Sequence, residues 1–251
     1  GFKIEEDGYF CEEIGLHKDL GYKTIRNAGD RFDLEEKTTQ FLMQQQLIKR
    51  DYDFVQNYLG TGIWTGSSTG SDITPTTLWD DPASTPIEDV DSERNSIRRN
   101  TGYEPNVLAL APDVAQVLKN HPDVIDRIKY TQSGIVTTDI LASLFGVDEV
   151  VVGKVPYNAA KEGAAADMKD MFSKQALLAY RTDTPSTEVP SAGYIFNWTG
   201  IDPDASENAQ GIIMTDFEIK KQRAVRYESG YARDMKISAS DLGAFFTGVI
   251  S

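Results

Sequence analysis

Residues 103–130, reading YEPNVLALAPDVAQVLKNHPDVIDRIKY, constrain the fold of this chain more than any other stretch. Pro105 leads into the apolar run Val107, Leu108 and Leu110, the length of a buried strand. Pro112-Asp113 then opens a helix, because proline at a first helical position forfeits no hydrogen bond and an acid there meets the positive end of the helix dipole. Val114, Val117 and Leu118 share one face of that helix. Pro122 restarts helical spacing at Val124, Ile125 and Ile128, and Asn100-Thr101-Gly102 closes the helix that comes before the strand.

The remaining periodicities extend the pattern. Asp30 or Asp33 is placed to cap a long helix over residues 32–59, in which Leu34, Phe41, Ile48 and Val55 recur at sevenfold spacing. Thr38, Gln45, Tyr52 and Leu59 lie between them, and so mixed a seam suits packing on a sheet better than a coiled coil. Gly60 to Thr77 is crowded with glycine, serine and threonine and reads as a flexible connection. Pro86 starts a second helix, residues 86–100, with Ile87, Val90 and Ile97 on one face. Further on, a short helix is expected at Asp139–Phe145, strands at Glu149–Val152 and Ala176–Tyr180, and a helical or ordered loop at Ala164–Phe172. Helices and strands alternating in this way predict an α+β or mixed architecture.

Tyr103–Tyr130 taken together with residues 32–59, Gly193–Gly200 and the closing YESGYARDMKISASDLGAFFTGVI resembles the coat proteins of tailed phages with the Hong Kong 97-type fold. That resemblance covers most of the chain. It implies an extended-loop return strand and connection in residues 1–30 and a peripheral domain in 31–105 holding the spine helix. It implies further an axial domain in 106–210 and C-terminal strands in 211–251 that return to the peripheral domain. The implied function is that of a major capsid protein that self-assembles into hexamers and pentamers of an icosahedral head enclosing double-stranded DNA. Its place would be the virion, after assembly in the host cytoplasm, and its partners would be copies of itself, portal, scaffold and decoration proteins, and DNA contacted non-specifically. An encapsulin-like nanocompartment shell is the alternative within the same fold. The rival from a different class is an acidic soluble enzyme or calcium-binding module.

Composition bears on these choices. Lys and Arg number 25 against 39 Asp and Glu, so the net charge of −14 repels phosphate backbones over most of the surface and argues against sequence-specific nucleic-acid reading. Solubility alone accounts for such a charge, and an acidic inner wall would also let packaged DNA slide. No apolar run reaches the length of a membrane-spanning helix, so no membrane partner is expected. The chain starts at Gly1 without a basic stretch leading an apolar one, from which no retained signal peptide and prior removal of upstream residues are expected. Phe2–Glu5 alternates as a strand whose pairing partner would lie upstream, so residues 1–14 are expected to leave their own subunit's core and lie against a neighbour.

Catalytic signals are thin, and no catalytic, cofactor or metal site is expected. There are two histidines, His17 in a presumed loop and His121 at a helix junction, where a hydrogen bond to the chain end is its ordinary role. The single cysteine, Cys11, stands beside Glu12, which disfavours a thiolate and leaves no disulfide within the chain. Gly60-Thr61-Gly62 with Gly66 lacks the strand and spacing of a phosphate loop. Asp202, Asp204, Ser206 and Asn208 alternate like calcium ligands, but the loop's sixth position is Glu207 and its twelfth Ile213, so a polar turn is the stronger reading. Lys220-Lys221-Gln222-Arg223 with Arg226, and Arg94, Arg98 and Arg99, form the basic clusters. They suit either a solvated helix face or pairing with acids of a neighbouring subunit. Coat proteins of this type can join a loop lysine to a neighbour's asparagine; Lys3 lies in the corresponding region, with no identifiable partner.

Overall fold

A computed structural model describes residues 8–28, 33–129, 136–161, 163–186, 189–198, 200–201 and 211–251. In chain order the elements are β1 (Glu12–Gly21), α1 (Tyr22–Ala28), α2 (Leu34–Tyr58), α3 (Pro86–Thr101), β2 (Val107–Leu110), α4 (Pro112–Asn120), α5 (Pro122–Ile128), α6 (Thr138–Phe145), β3 (Glu149–Val152), β4 (Pro156–Asn158), β5 (Met168–Asp170), β6 (Gln175–Ala179), β7 (Gly193–Asn197), β8 (Ile213–Ile219), β9 (Ala224–Ile237) and β10 (Gly243–Thr247). They fall into two compact units, residues 1–53 with 195–236, and residues 54–194 with 237–251. The expected α+β architecture is borne out. Phe2–Glu5, Lys3, Asp30 and the alternating acids from Asp202 to Asn208 lie outside the described residues.

In the first unit β9 organises the sheet: β1 pairs with it antiparallel from Glu12↔Arg233 to Gly21↔Ala224, and β8 from Ile213↔Gly230 to Ile219↔Ala224. Side chains alternate across a strand, so Val225, Tyr227 and Ser229 of β9 share a face, and it is this face that meets α2. Leu42 packs there with Leu20 and Tyr227, ringed by Ile25, Leu34, Met214 and Val225. Asp33 caps α2, its carboxylate accepting the Glu36 N–H at 3.0 Å.

The helix itself agrees with expectation; its buried line does not. Thr38, Leu42 and Gln46, at fourfold spacing, are sealed from solvent on the part of α2 that lies in this unit, while Phe41 of the sevenfold seam is 45% exposed under the Lys18 ammonium, 4.8 Å above its ring. A long helix lying on one twisted sheet keeps its i, i+4 ridge in contact, whereas a sevenfold seam presupposes a supercoiled partner helix. Three further expectations are corrected in this unit. Residues 12–14 belong to β1, in their own sheet, and His17 lies on that strand rather than in a loop. Tyr9 and Cys11 are also anchored locally, Tyr9 stacked on Phe196 at 4.5 Å and the Cys11 thiol donating to the Phe196 carbonyl. Lys220–Arg223 occupies the turn between β8 and β9, with Arg223 at φ 53°, not a helix face.

The second unit carries a sheet in the order β10-β6-β2-β3, parallel between β2 and β3 and antiparallel elsewhere. The central strand β6 buries Ala176, Leu177 and Leu178, covering both of its faces, while β2 buries Leu108 and Leu110 and leaves Val107 and Ala109 half-buried. Ile87, Val90 and Ile97 of α3 are fully buried, as expected from their spacing. Val124 and Ile128 of α5 are buried as well, but Ile125 is 42% exposed. Residues 164–172 hold a strand, β5, paired with β4, because the Asn158 side chain accepts both the Ala160 and Asp167 N–H groups and closes a hairpin.

The stretch from Gly60 to Thr77 is not a flexible connection. Trp64 is 1% exposed and its indole N–H donates to the Tyr58 carbonyl. Gly66 donates to the Gly243 carbonyl at 2.9 Å, and a Cβ on it would lie 2.3 Å from the Asp241 oxygen, so only glycine permits this approach. Ile73 then bridges to Phe246. Gly66 serves close packing and Gly62 and Gly70 supply positive φ, uses that composition cannot separate from looseness.

Candidate functional site

His121 is the residue whose surroundings most resemble catalytic machinery. It is 3% exposed, and its Nε2 lies 3.0 Å from the Ser84 hydroxyl and 3.1 Å from the Asp81 carbonyl. Its Nδ1 accepts the Asp123 N–H at 3.2 Å, which caps α5 and leaves the proton on Nε2. Nε2 is therefore a donor to Ser84, while the Ser84 hydroxyl gives its own proton to the Asp81 carbonyl at 2.8 Å. A base that has no free lone pair facing the serine cannot activate it. The pair fastens the 81–84 turn to the α4–α5 junction, the chain-end role expected of this histidine.

The other candidates resolve into structural contacts. Arg94 donates to the Phe145 and Gly146 carbonyls at 3.3 and 2.6 Å, satisfying the C-terminus of α6, and pairs with Asp91 and Glu104. Arg98 donates to Asn95. Arg226 forms a bidentate pair with Asp19, its cross-strand partner, at 2.7 and 2.9 Å. That bond holds the exposed Asp19 carboxyl below the usual range and raises Arg226. Burial, then the Glu35 carboxylate, pushes the Tyr227 phenol up to about 12. Among the described residues no three His, Cys, Asp or Glu side chains converge as a metal site.

Two further groups draw attention. Arg233 is 7% exposed, with its guanidinium carbon 3.5 Å above the Tyr231 ring centroid and none of its three nitrogens hydrogen-bonded among the described residues. Burial lowers its pKa. The other is a set of exposed aromatic side chains: Tyr9, Phe10 and Trp198 are 60, 80 and 52% exposed, although the Phe10 N–H is fixed to the Asp234 carboxylate at 3.0 Å. No local periodicity signals the burial of Arg233 or the exposure of Trp198, whereas Tyr9 and Phe10 belong to the segment 1–14 expected to lie against a neighbour.

No family model matches the chain. It is 28% identical over 165 residues to the major capsid protein of Burkholderia phage BcepMu, a match covering 64% of this chain and 49% of that protein. The major capsid protein of Pseudomonas phage JBD67 is 23% identical over all of this chain and 78% of its own length. Among solved structures, a phage-related protein from Bordetella bronchiseptica superposes with a TM-score of 0.79 at 22% identity, over 98% of this chain and 78% of the other. The mature capsid of bacteriophage PhiM1 gives 0.54 at 11% identity, over 98% and 76% of the two chains. An encapsulin from Synechococcus elongatus gives 0.56 at 10% identity, over 97% and 76%. The chain thus has the fold of the phage capsid and encapsulin class. Within that class, its sequence is similar to phage major capsid proteins. The likeness spans about half the length of the BcepMu relative. Among the described residues no helix is long and apolar enough to cross a membrane.

Proposed function

We propose that this chain is the shell-building subunit of a phage head, assembling with copies of itself into hexamers and pentamers of an icosahedral capsid around double-stranded DNA. The observation that carries this reading is that the likeness in sequence and the likeness in fold agree. Both curated relatives are phage major capsid proteins, and the capsid-class fold extends over nearly the whole chain. The encapsulin alternative shares the fold but has no support from the curated relatives.

In this reading the subunit resides in the virion, is assembled in the host cytoplasm and meets portal, scaffold and decoration proteins as partners. The acidic surface meets DNA only through non-specific contacts. The peripheral part would be carried by residues 1–53 with 195–236, and the axial part by 54–194 with 237–251. These boundaries differ from those drawn on sequence in giving residues 54–105, with α3, and residues 237–251, with β10, to the axial side and residues 195–210 to the peripheral side. Light scattering of the purified chain across ionic strength tests the reading. Assembly is expected to rise with salt, as screening relieves repulsion between subunits that each carry −14. Scattering by single subunits at every salt concentration would contradict it.

A further inference from the structure

On the face of the first sheet opposite α2, Gly15 of β1 and Gly230 of β9 stand directly opposed. Glycine weakens a strand, and inside one it marks a bulge, a bend or a place where another backbone comes close. The register runs unbroken from Glu12↔Arg233 to Gly21↔Ala224, so there is no bulge. Neither glycine has a positive φ, and a Cβ on either would make ordinary contacts, its nearest neighbours being the Ser229 oxygen at 3.8 Å and the Ile14 oxygen at 3.9 Å. Nothing in the described part of the chain requires these two residues to be glycine.

Above them runs an open groove of about 360 Å³, walled by Glu13, His17, Thr215, Glu228 and Ile213. Glu13 and Glu228 make its rim acidic, with Arg226 reaching Glu228 only at 3.8 Å. The same chain carries a complement to this rim. Lys220, Lys221 and Arg223 crowd the exposed β8–β9 turn, and among the described residues none of them has a carboxylate within ion-pair distance. Like charges packed into one turn repel, and that repulsion is relieved when an acidic surface comes against them.

We propose that the groove over Gly15 and Gly230 seats the β8–β9 turn of a second copy of this chain, with Lys220, Lys221 and Arg223 against Glu13 and Glu228. The glycines let the incoming backbone lie close to the sheet, and the two surfaces differ, so the contact is head-to-tail and repeats from copy to copy. A nucleic-acid occupant is disfavoured by the same carboxylates that favour the turn. The proposal rests on the shell reading, and names one of the contacts that would build the shell.

Two measurements separate the proposal from that reading. In a Cys11→Ser background, Thr215→Cys with Gln222→Cys is expected to give an oxidised ladder of dimers, trimers and higher species. Either cysteine alone should stop at dimers. Gly15→Val and Gly230→Val should leave the melting temperature of the unassembled subunit unchanged or raised, since valine favours strands, while cutting particle yield about tenfold or more. A ladder without particles would uphold the contact and sink the shell reading. Particles without a ladder, or valine variants that assemble like the parent, would overturn the contact and leave the shell reading standing. DNA captured at the turn but no ladder would likewise overturn it.

Discussion

Gln46 of α2 donates one hydrogen bond to the Ser229 carbonyl and a second to the Ser229 hydroxyl, both at 3.1 Å, at a point where each residue is almost sealed from water. Ser229 in turn donates to the Leu16 carbonyl at 3.4 Å. One buried amide thus ties the long helix to β9 and, through Ser229, to β1. A polar residue on the buried ridge is tolerated because it is partnered, and its position fixes the helix register on the sheet.

Gln46→Ala removes both donors and leaves a void beneath the helix. A loss of about 2–3 kcal/mol is expected in denaturant unfolding of the unassembled subunit. Gln46→Leu fills the void but not the hydrogen bonds and should recover only part of that. A cost below about 0.5 kcal/mol for both variants would mean the helix does not depend on this tie.

The fourfold ridge makes Leu42 and Phe41 adjacent in sequence but unequal in consequence. Leu42 is inaccessible and Phe41 is 45% exposed. Leu42→Ala is expected to cost about 2–5 kcal/mol and Phe41→Ala less than about 1 kcal/mol. Urea midpoints with an unchanged slope would measure both, and the reverse order would restore the sevenfold seam.

Much of the second unit was legible because its signals are local. Proline at the first position of α3, α4 and α5, and apolar spacing within one or two turns, mark where those helices begin and what they bury. What was not legible depends on distant partners. The ten residues of β1 include only Ile14, Leu16 and Leu20 as large apolar side chains, and become a strand because β9 pairs with every one of them. Trp64 makes a core of the glycine-rich loop, and Arg233 is buried by the folding of β9 under α2, facts that no window of neighbouring residues contains. The likeness to coat proteins was carried by the order of elements rather than by a motif, which is why it reached the fold and named no site residue.

Arg233 supplies a prediction of opposite sign to most core substitutions. A guanidinium desolvated without hydrogen bonds among the described residues retains its stacking on Tyr231 and the longer-range attraction of the Asp53 and Asp51 carboxylates, opposed by Arg50. Arg233→Met, similar in reach and uncharged, should raise the stability of the unassembled subunit by about 1–3 kcal/mol. A loss of stability in thermal unfolding would show that the charge is compensated.

The Asp19–Arg226 pair sets a pH dependence. Because the folded state holds Asp19 below its ordinary value of 3.8, the carboxylate contributes stability that is fully present above that value and is lost as pH falls through the depressed one. Asp19→Asn should therefore flatten the decline in stability as pH falls below the ordinary carboxylate value of 3.8, and change little at neutral pH beyond the lost pair. Unfolding midpoints taken across that window should show the shallower slope, and parallel curves for parent and variant would remove Asp19 from the acid response.

Electron microscopy of the purified chain after a salt increase tests the shell reading most directly. Closed, hollow particles of uniform diameter, bounded by hexameric and pentameric clusters, are the expected result. A field of single subunits or of irregular aggregates, from material whose circular dichroism and unfolding transition show it to be folded, would contradict it.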